Sequence, residues 1–590
     1  MNDSSSVAEH GDPRLRSARW FAGHDVAGLV HRASIRATGI SAAGLGNQPT
    51  IGICNPWSDL VSCNLHFRSL VAAVRRGVAE AGGIPFEFPA IAVGENLMKP
   101  TSMLYRNLMA MDVEESIRSY PLDAIVLLAG CDKSIPAELM GATSAGVPAV
   151  MVTGGPCAPA HFRGRELGVG ADIWRYTDDV RAGRMTLQEY DELEAAVIPS
   201  YGHCSEMGTA STMACLAETL GMTLPGSATI PAVDSRRRHA AEAAGRRAVE
   251  MATAGPRPAQ ILTCKAFDNA ITVLMALGGS TNAVVHLLAL ARRVGIDLPL
   301  DRFDQISRRT PVLANVRPSG EHLFENLDRA GGVPALLREL APLIDLSAPT
   351  VAGGTLGDQI AGAQNRDPSV LRSYHDPLSP QGGISILRGT LAPEGAIIKR
   401  SAASPRLLRH RGPAVVFDDI YDVIARIDDP SLAIDDSTVL VLRNTGPKGG
   451  PGMPEWGQLP IPTRLLKQGI DDMVRVSDGR MSGTAFGTVV LHVSPESAAG
   501  GPLLAVRDGD PIILDVEAGR LDLDLPAAEI ARRLSVTPLP PPKYTRGYGA
   551  LFLEHVLQAH EGCDFDVLGG DGSDAGDAPQ GILRGWIGGW

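Results

Sequence analysis

Between Pro49 and Gly154 short β-rich runs alternate with helical stretches: Thr50 to Cys54, Leu65 to Ala81, Ile84 to Val93, Ala124 to Ala129 and Ala149 to Thr153. This is the rhythm of βαβ units, which build a parallel sheet. Such sheets place ligands beyond the carboxyl ends of their strands. Cys63, Glu95 and Cys131 each follow an apolar run, so the pattern predicts all three on one rim.

Helices are predicted over Arg236 to Ala254 and Ala270 to Arg293, followed by a polar, Gly/Pro-containing region from about Ser347 to Pro380. The periodicity then changes. Ile384 to Leu387, Ala414 to Phe417, Thr438 to Leu442, Met473 to Val476, Thr488 to Val493 and Pro511 to Val516 are short and β-branched, separated by Gly, Pro and Asp. That pattern predicts a β-rich sandwich or barrel. The expected fold is therefore α/β, with an N-terminal domain over 1–380 that has a parallel sheet and flanking helices. A barrel-like, β-rich C-terminal domain over 381–590 completes it. The tail carries Trp586 and Trp590 and is expected to dock, since two tryptophans would otherwise be exposed apolar surface.

At 590 residues and 44% hydrophobic content the chain can bury large cores. Its 54 basic and 66 acidic residues give a formal charge of -12, which argues against a nucleic-acid surface. The polar start Met1-Asn2-Asp3 lacks the pattern of a secretory signal, so a cytoplasmic protein is expected. The apolar stretch Ala270 to Ala291 is interrupted by Gly278-Gly279-Ser280-Thr281-Asn282 and His286, which argues against a membrane span. Eight cysteines are too few for a disulfide scaffold in so long a chain, and in a reducing compartment grouped cysteines favour metal binding.

Three of those cysteines sit in polar loops: Ser62-Cys63-Asn64, Gly130-Cys131-Asp132-Lys133 and Gly202-His203-Cys204. Sulfur suits iron or zinc, whereas the carboxylate beside Cys131 suits magnesium, calcium or manganese. The wide spacing is unlike a ferredoxin or a zinc ribbon, so any shared cluster must be assembled by the tertiary fold. Glu95 and Glu455 lie in glycine-bearing loops and are weak signals alone. Gly446-Pro447-Lys448-Gly449-Gly450 fails the Walker pattern, and Ser477 to Thr484 lacks the hydrolase Gly-x-Ser-x-Gly elbow. Cys54, Cys157, Cys215, Cys264 and Cys563 are read as core thiols.

Taken in order, these loops, Gly278 to Asn282, Gly446 to Glu455, Ser477 to Thr484 and His492-Val493-Ser494-Pro495-Glu496 resemble the signatures of the dihydroxy-acid dehydratase and phosphogluconate dehydratase family. The resemblance covers nearly the whole chain. The run Met453-Pro454-Glu455-Trp456-Gly457 with Leu459-Pro460-Ile461-Pro462 looks like its sugar-acid branch, which includes arabinonate and xylonate dehydratases.

The resemblance implies that Cys63, Cys131 and Cys204 bind a [2Fe-2S] cluster with one iron left open. It implies that Glu95, Asp132, Glu455 and a carbamylated Lys133 bind Mg2+. A carbamate makes electrostatic sense there, because an ammonium would repel the cation. Ser482 matches the family's proposed base and Thr484 is expected to orient substrate or serine. His31 to Gly39 departs from sugar-acid relatives, which often have a tryptophan- and lysine-containing run there, so substrate contacts in that segment do not carry over. The implied activity is dehydration of an aldonate to a 2-keto-3-deoxy acid, with a homodimer or homotetramer expected. The alternatives are a dihydroxy-acid dehydratase of branched-chain amino-acid synthesis and a non-catalytic iron-sulfur sensor or electron carrier.

Overall fold

The computed structural model describes residues 11–456 and 458–570, so Trp586 and Trp590 lie outside the described residues. Strands β1 (Thr50–Asn55), β2 (Ile84–Pro89), β3 (Ala124–Ala129) and β4 (Ala149–Thr153) form an all-parallel sheet in the order β2-β1-β3-β4. β1, β3 and β4 are buried along their whole length, whereas the edge strand β2 is partly exposed. Burial on both faces explains why the inner strands read as continuous apolar runs. The helices Phe67–Glu80 and Ser235–Ala254 form one packed pair on the sheet, and Arg106–Ser119 with Ser134–Ala145 form another.

From β1 the chain winds outward to β2 and then returns to the other side for β3 and β4. The strand order thus reverses between β1 and β3, and a crevice opens beyond their carboxyl ends. Cys63 follows β1, Glu95 follows β2 and Cys131 follows β3. All three share the rim that the sequence rhythm predicts.

Two expectations are corrected. The run Ile84 to Val93 ends as a strand at Pro89, which frees the following residues to carry Glu95 as a loop. Ala270 to Arg293 divides into helices Cys264–Ala276 and Asn282–Arg293, because Gly278-Gly279 stops propagation and the Gly279 N–H returns to the Leu274 carbonyl at 3.1 Å. That break turns Asn282 toward the site.

After the small hairpin β5 (Ala160–Phe162) and β6 (Arg165–Leu167), eight further strands build the second sheet. They are β7 (Ser385–Leu387), β8 (Gly395–Ile398), β9 (Arg409–Phe417), β10 (Val439–Leu442), β11 (Arg475–Ser477), β12 (Val489–Ser494), β13 (Pro511–Asp515) and β14 (Arg520–Leu523). Their order is β14-β13-β9-β10-β11-β12-β8-β7, and Arg388 bridges to Arg520, bringing the two ends together as a nearly closed barrel. Side chains alternate with the pleat. Ala414, Val416, Val439 and Val441 join the core shared by all the strands, whereas Val415, Phe417, Leu440 and Leu442 pack under the helices Ile420–Arg426 and Thr463–Lys467.

The strands β9 to β12 are mutually parallel, so this part is mixed α/β. Glu455 follows β10, and Ser482 and Thr484 follow β11. The second sheet therefore also presents its functional candidates beyond carboxyl ends. Among the described residues no helix is long and apolar enough to cross a membrane.

Candidate active site

β3 delivers Cys131 at the end of a fully buried strand, and the Cys131 N–H donates to Ser134 Oγ at 2.9 Å at the start of the next helix. A Cβ on Gly130 would fall 2.5 Å from Asn64 Oδ1 and 2.7 Å from the Cys63 carbonyl, so only glycine lets the Cys63 loop lie against this exit. The segment bearing Cys204 is tied to the residues after β4: the His203 N–H donates to the Gly155 carbonyl at 3.0 Å, and the Cys157 N–H to the His203 carbonyl at 2.8 Å.

These loops converge with those after β10 and β11 on a cavity of about 110 Å³. Cys63, Cys131, Cys204, Glu95, Asp132, Glu455, Ser482 and Thr484 all line it. A larger cavity beside Arg292, Arg388 and His560 holds none of the sequence-predicted site residues.

Oxygen atoms of Glu95, Asp132 and Glu455 lie within 4.8 Å of one another, close enough to hold one cation between them. Lys133 completes the group from beneath. Its fully buried Nζ bonds Asp132 and stands 3.4 Å from Glu95 and 3.6 Å from Glu455. Burial pulls the Lys133 ammonium down, but Asp132, Glu455 and Glu95 more than reverse this and hold it above its usual range. Burial works against ionised Glu95, yet Lys133, Arg480 and hydrogen bonds from Ser102 and Thr101 hold its carboxyl at about 2. Glu455 goes the other way: burial raises it despite the same two cations.

The thiol side of the cavity meets this oxygen side directly, with Cys131 Sγ 3.3 Å from Asp132 Oδ1. A hydrogen bond from the Cys131 thiol to Cys63, then burial, pushes the Cys131 thiol well up, and burial does the same to Cys204. Three thiols beside three carboxylates form a donor set that fits a soft and a hard metal together.

Sequence reasoning missed the groups that hold these ligands. The buried Arg480 donates to Glu455 Oε1 at 2.7 Å, to the Met453 carbonyl at 2.9 Å and to Thr101 Oγ1 at 3.2 Å. Asn282 Nδ2 also donates to Glu455, so the Gly278 to Asn282 motif acts through a side chain as well as by starting a helix. Cys157, read as a core thiol, lines the cavity as a fourth sulfur. Its signal was the polar Gly154-Gly155-Pro156 turn directly after β4. Arg480→Lys keeps the charge but loses the planar fork. It should weaken divalent-cation affinity about 10-fold or more, read by calorimetric titration with magnesium.

Models of the dihydroxy-acid/6-phosphogluconate dehydratase N-terminal and C-terminal regions match residues 48–359 and 369–563. The chain belongs to this family. It is accordingly an enzyme of the dehydratase, hydro-lyase, type. An L-arabonate dehydratase of Azospirillum brasilense is 51% identical, over 95% of this chain and 97% of its own length. An L-arabinonate dehydratase of Rhizobium leguminosarum bv. trifolii is 49% identical, over 94% and 96%. A 6-deoxy-6-sulfo-D-gluconate dehydratase of Pseudomonas putida is 46% identical, also over 94% and 96%.

Proposed function

We propose that this dehydratase converts an aldonate to a 2-keto-3-deoxy acid by removing the C2 proton and the C3 hydroxyl as water. The enol left behind tautomerises to the keto acid. The observation that carries this reading is the meeting of three thiols, three carboxylates and Ser482 in one cavity. Cys63, Cys131 and Cys204 would hold a [2Fe-2S] cluster, and Glu95, Asp132, Glu455 and Lys133, its ammonium having lost a proton and its amine taken up CO2 as a carbamate, would hold Mg2+. When bound, these groups supply Lewis acidity toward the substrate's carboxylate and its departing hydroxyl.

The chain's own residues do the rest. Ser482 Oγ accepts the C2 proton; an ordinary serine is too weak a base, so its oxygen must be held as an anion. Thr484 orients it, with the two hydroxyl oxygens 2.8 Å apart and the Thr484 N–H donating to Ser482 Oγ at 3.3 Å. Arg480 and Asn282 keep Glu455 in place. Ser62, Asn96, Thr209 and Ser211 add polar groups to the wall. Relatives that act on arabonate and on 6-deoxy-6-sulfo-D-gluconate favour a sugar acid over a branched-chain precursor. A sensor or electron carrier would need neither the carboxylate set nor Ser482.

Anaerobically reconstituted protein, assayed for keto acid with arabinonate, xylonate, gluconate, galactonate and dihydroxyisovalerate, tests the reading. An aldonate should give a kcat/KM at least about 100-fold above dihydroxyisovalerate, because polar groups left unpaired by an alkyl chain carry a large penalty. Preference for dihydroxyisovalerate would overturn it, and no turnover of any acid would favour the sensor. A cytoplasmic dimer or tetramer belongs to the same reading, and light scattering tests the assembly.

A further inference from the structure

Lys399 directly follows β8, and its side chain is buried against the loop that carries Ser482. Burying an ammonium is costly unless a partner compensates. Its Nζ donates to the Gly483 carbonyl at 3.3 Å. Burial pulls its pKa down to about 7, opposed by Glu206. Glu206 is itself engaged, accepting the N–H groups of Gly170 and, at 2.9 Å, of Ala171. A buried amine aimed at a loop carbonyl needs an explanation beyond packing.

The Gly483 carbonyl and the Thr484 N–H belong to one peptide unit. At its far end that N–H donates to Ser482 Oγ at 3.3 Å. A Cβ on Gly483 would lie 2.7 Å from Ser280 Oγ and 2.8 Å from the Thr209 nitrogen, so the peptide is tightly confined. We propose that Lys399 is a positioning residue for Ser482, acting through the Gly483–Thr484 peptide, which accepts from the Lys399 Nζ at one end and donates to the serine oxygen at the other. A hydrogen bond to a peptide carbonyl strengthens the donor on the same peptide, so Lys399 sharpens the N–H that faces an anionic Ser482. The proposal rests on the reading of Ser482 as the base. The acidic groups Glu95, Asp132 and Glu455 share the cavity with Ser482 and disfavour an anion there, which is where a strengthened donor matters.

The test uses the full chain loaded with its metals. Lys399→Met, of similar length but without donors, should lower kcat about 10- to 100-fold with KM nearly unchanged, somewhat less than loss of a direct oxyanion donor. Lys399→Gln, which keeps a neutral donor, should recover part of the loss. Thermal stability should not fall in Lys399→Met, since an apolar residue of similar volume replaces a buried charge. In a Ser482→Ala background the Lys399→Met change should cost nothing further, because the two act as one unit. An unchanged kcat, a loss matched by a fall in Tm and cluster absorbance, or additive losses in the double variant would each overturn the proposal. An inactive Ser482→Ala beside a fully active Lys399→Met overturns only the relay, whereas a Ser482→Ala enzyme at near wild-type rate overturns the base assignment itself.

Discussion

Ser482→Ala should lower kcat by about 10²- to 10⁴-fold, the usual contribution of a positioned general base, while iron, sulfide and magnesium contents stay at wild-type levels. The separation follows from where the hydroxyl is anchored. Ser482 Oγ is held by the hydroxyl and the N–H of Thr484, two residues along its own loop. The carboxylates have independent supports: Thr101 and Ser102 on Glu95, and Arg480 and Asn282 on Glu455. Deleting one oxygen therefore leaves the donor set standing. Exchange of the C2 hydrogen with solvent deuterium offers a second reading, and it should vanish with turnover. A variant that still turns over at near the wild-type rate would remove serine from the role.

Much of this arrangement was legible in the sequence because it depends on strand ends. An apolar run followed by a polar loop marks a carboxyl end, and a parallel sheet gathers such ends on one rim. That logic grouped Cys63, Glu95 and Cys131 correctly. It said less about the second sheet, where β8 and β14 lie among glycines and prolines and do not stand out as β-branched runs. The helix Ser134–Ala145 was missed too, since its residues are buried on nearly every side and show no amphipathic stripe.

Arg480 and Lys399 were illegible for a different reason. A lone cation in a sequence looks like a solvated surface group, and only the fold shows it buried beside a carboxylate or a loop carbonyl. Asn282 lay in a recognised motif, but its reach to Glu455 across 173 positions of sequence depends on the helix break at Gly278-Gly279. Spacing alone does not encode that contact.

Exchanging the two neighbouring residues Cys131 and Asp132 one at a time should remove different metals. Cys131→Ser replaces a soft donor by a hard hydroxyl, so the protein should lose most of its acid-labile sulfide and visible absorbance. Its three carboxylates remain within 4.8 Å of one another, and magnesium binding should persist. Asp132→Asn does the reverse. It removes one of the three carboxylate charges from the oxygen side, and magnesium affinity should fall about 100-fold, at the upper end of what even outer partners of a metal site contribute. The thiols are untouched and the cluster should remain. The 3.3 Å between Cys131 Sγ and Asp132 Oδ1 makes the outcome informative, because neighbours this close could also fail together. Both variants should be nearly inactive, so metal content rather than rate distinguishes them. If either exchange strips both metals, the two sites are one cooperative unit and the division of labour between soft and hard donors is wrong. If the losses separate, one short turn after β3 sets the distance between the metals, and with it which two carbons of a small substrate can face them at once.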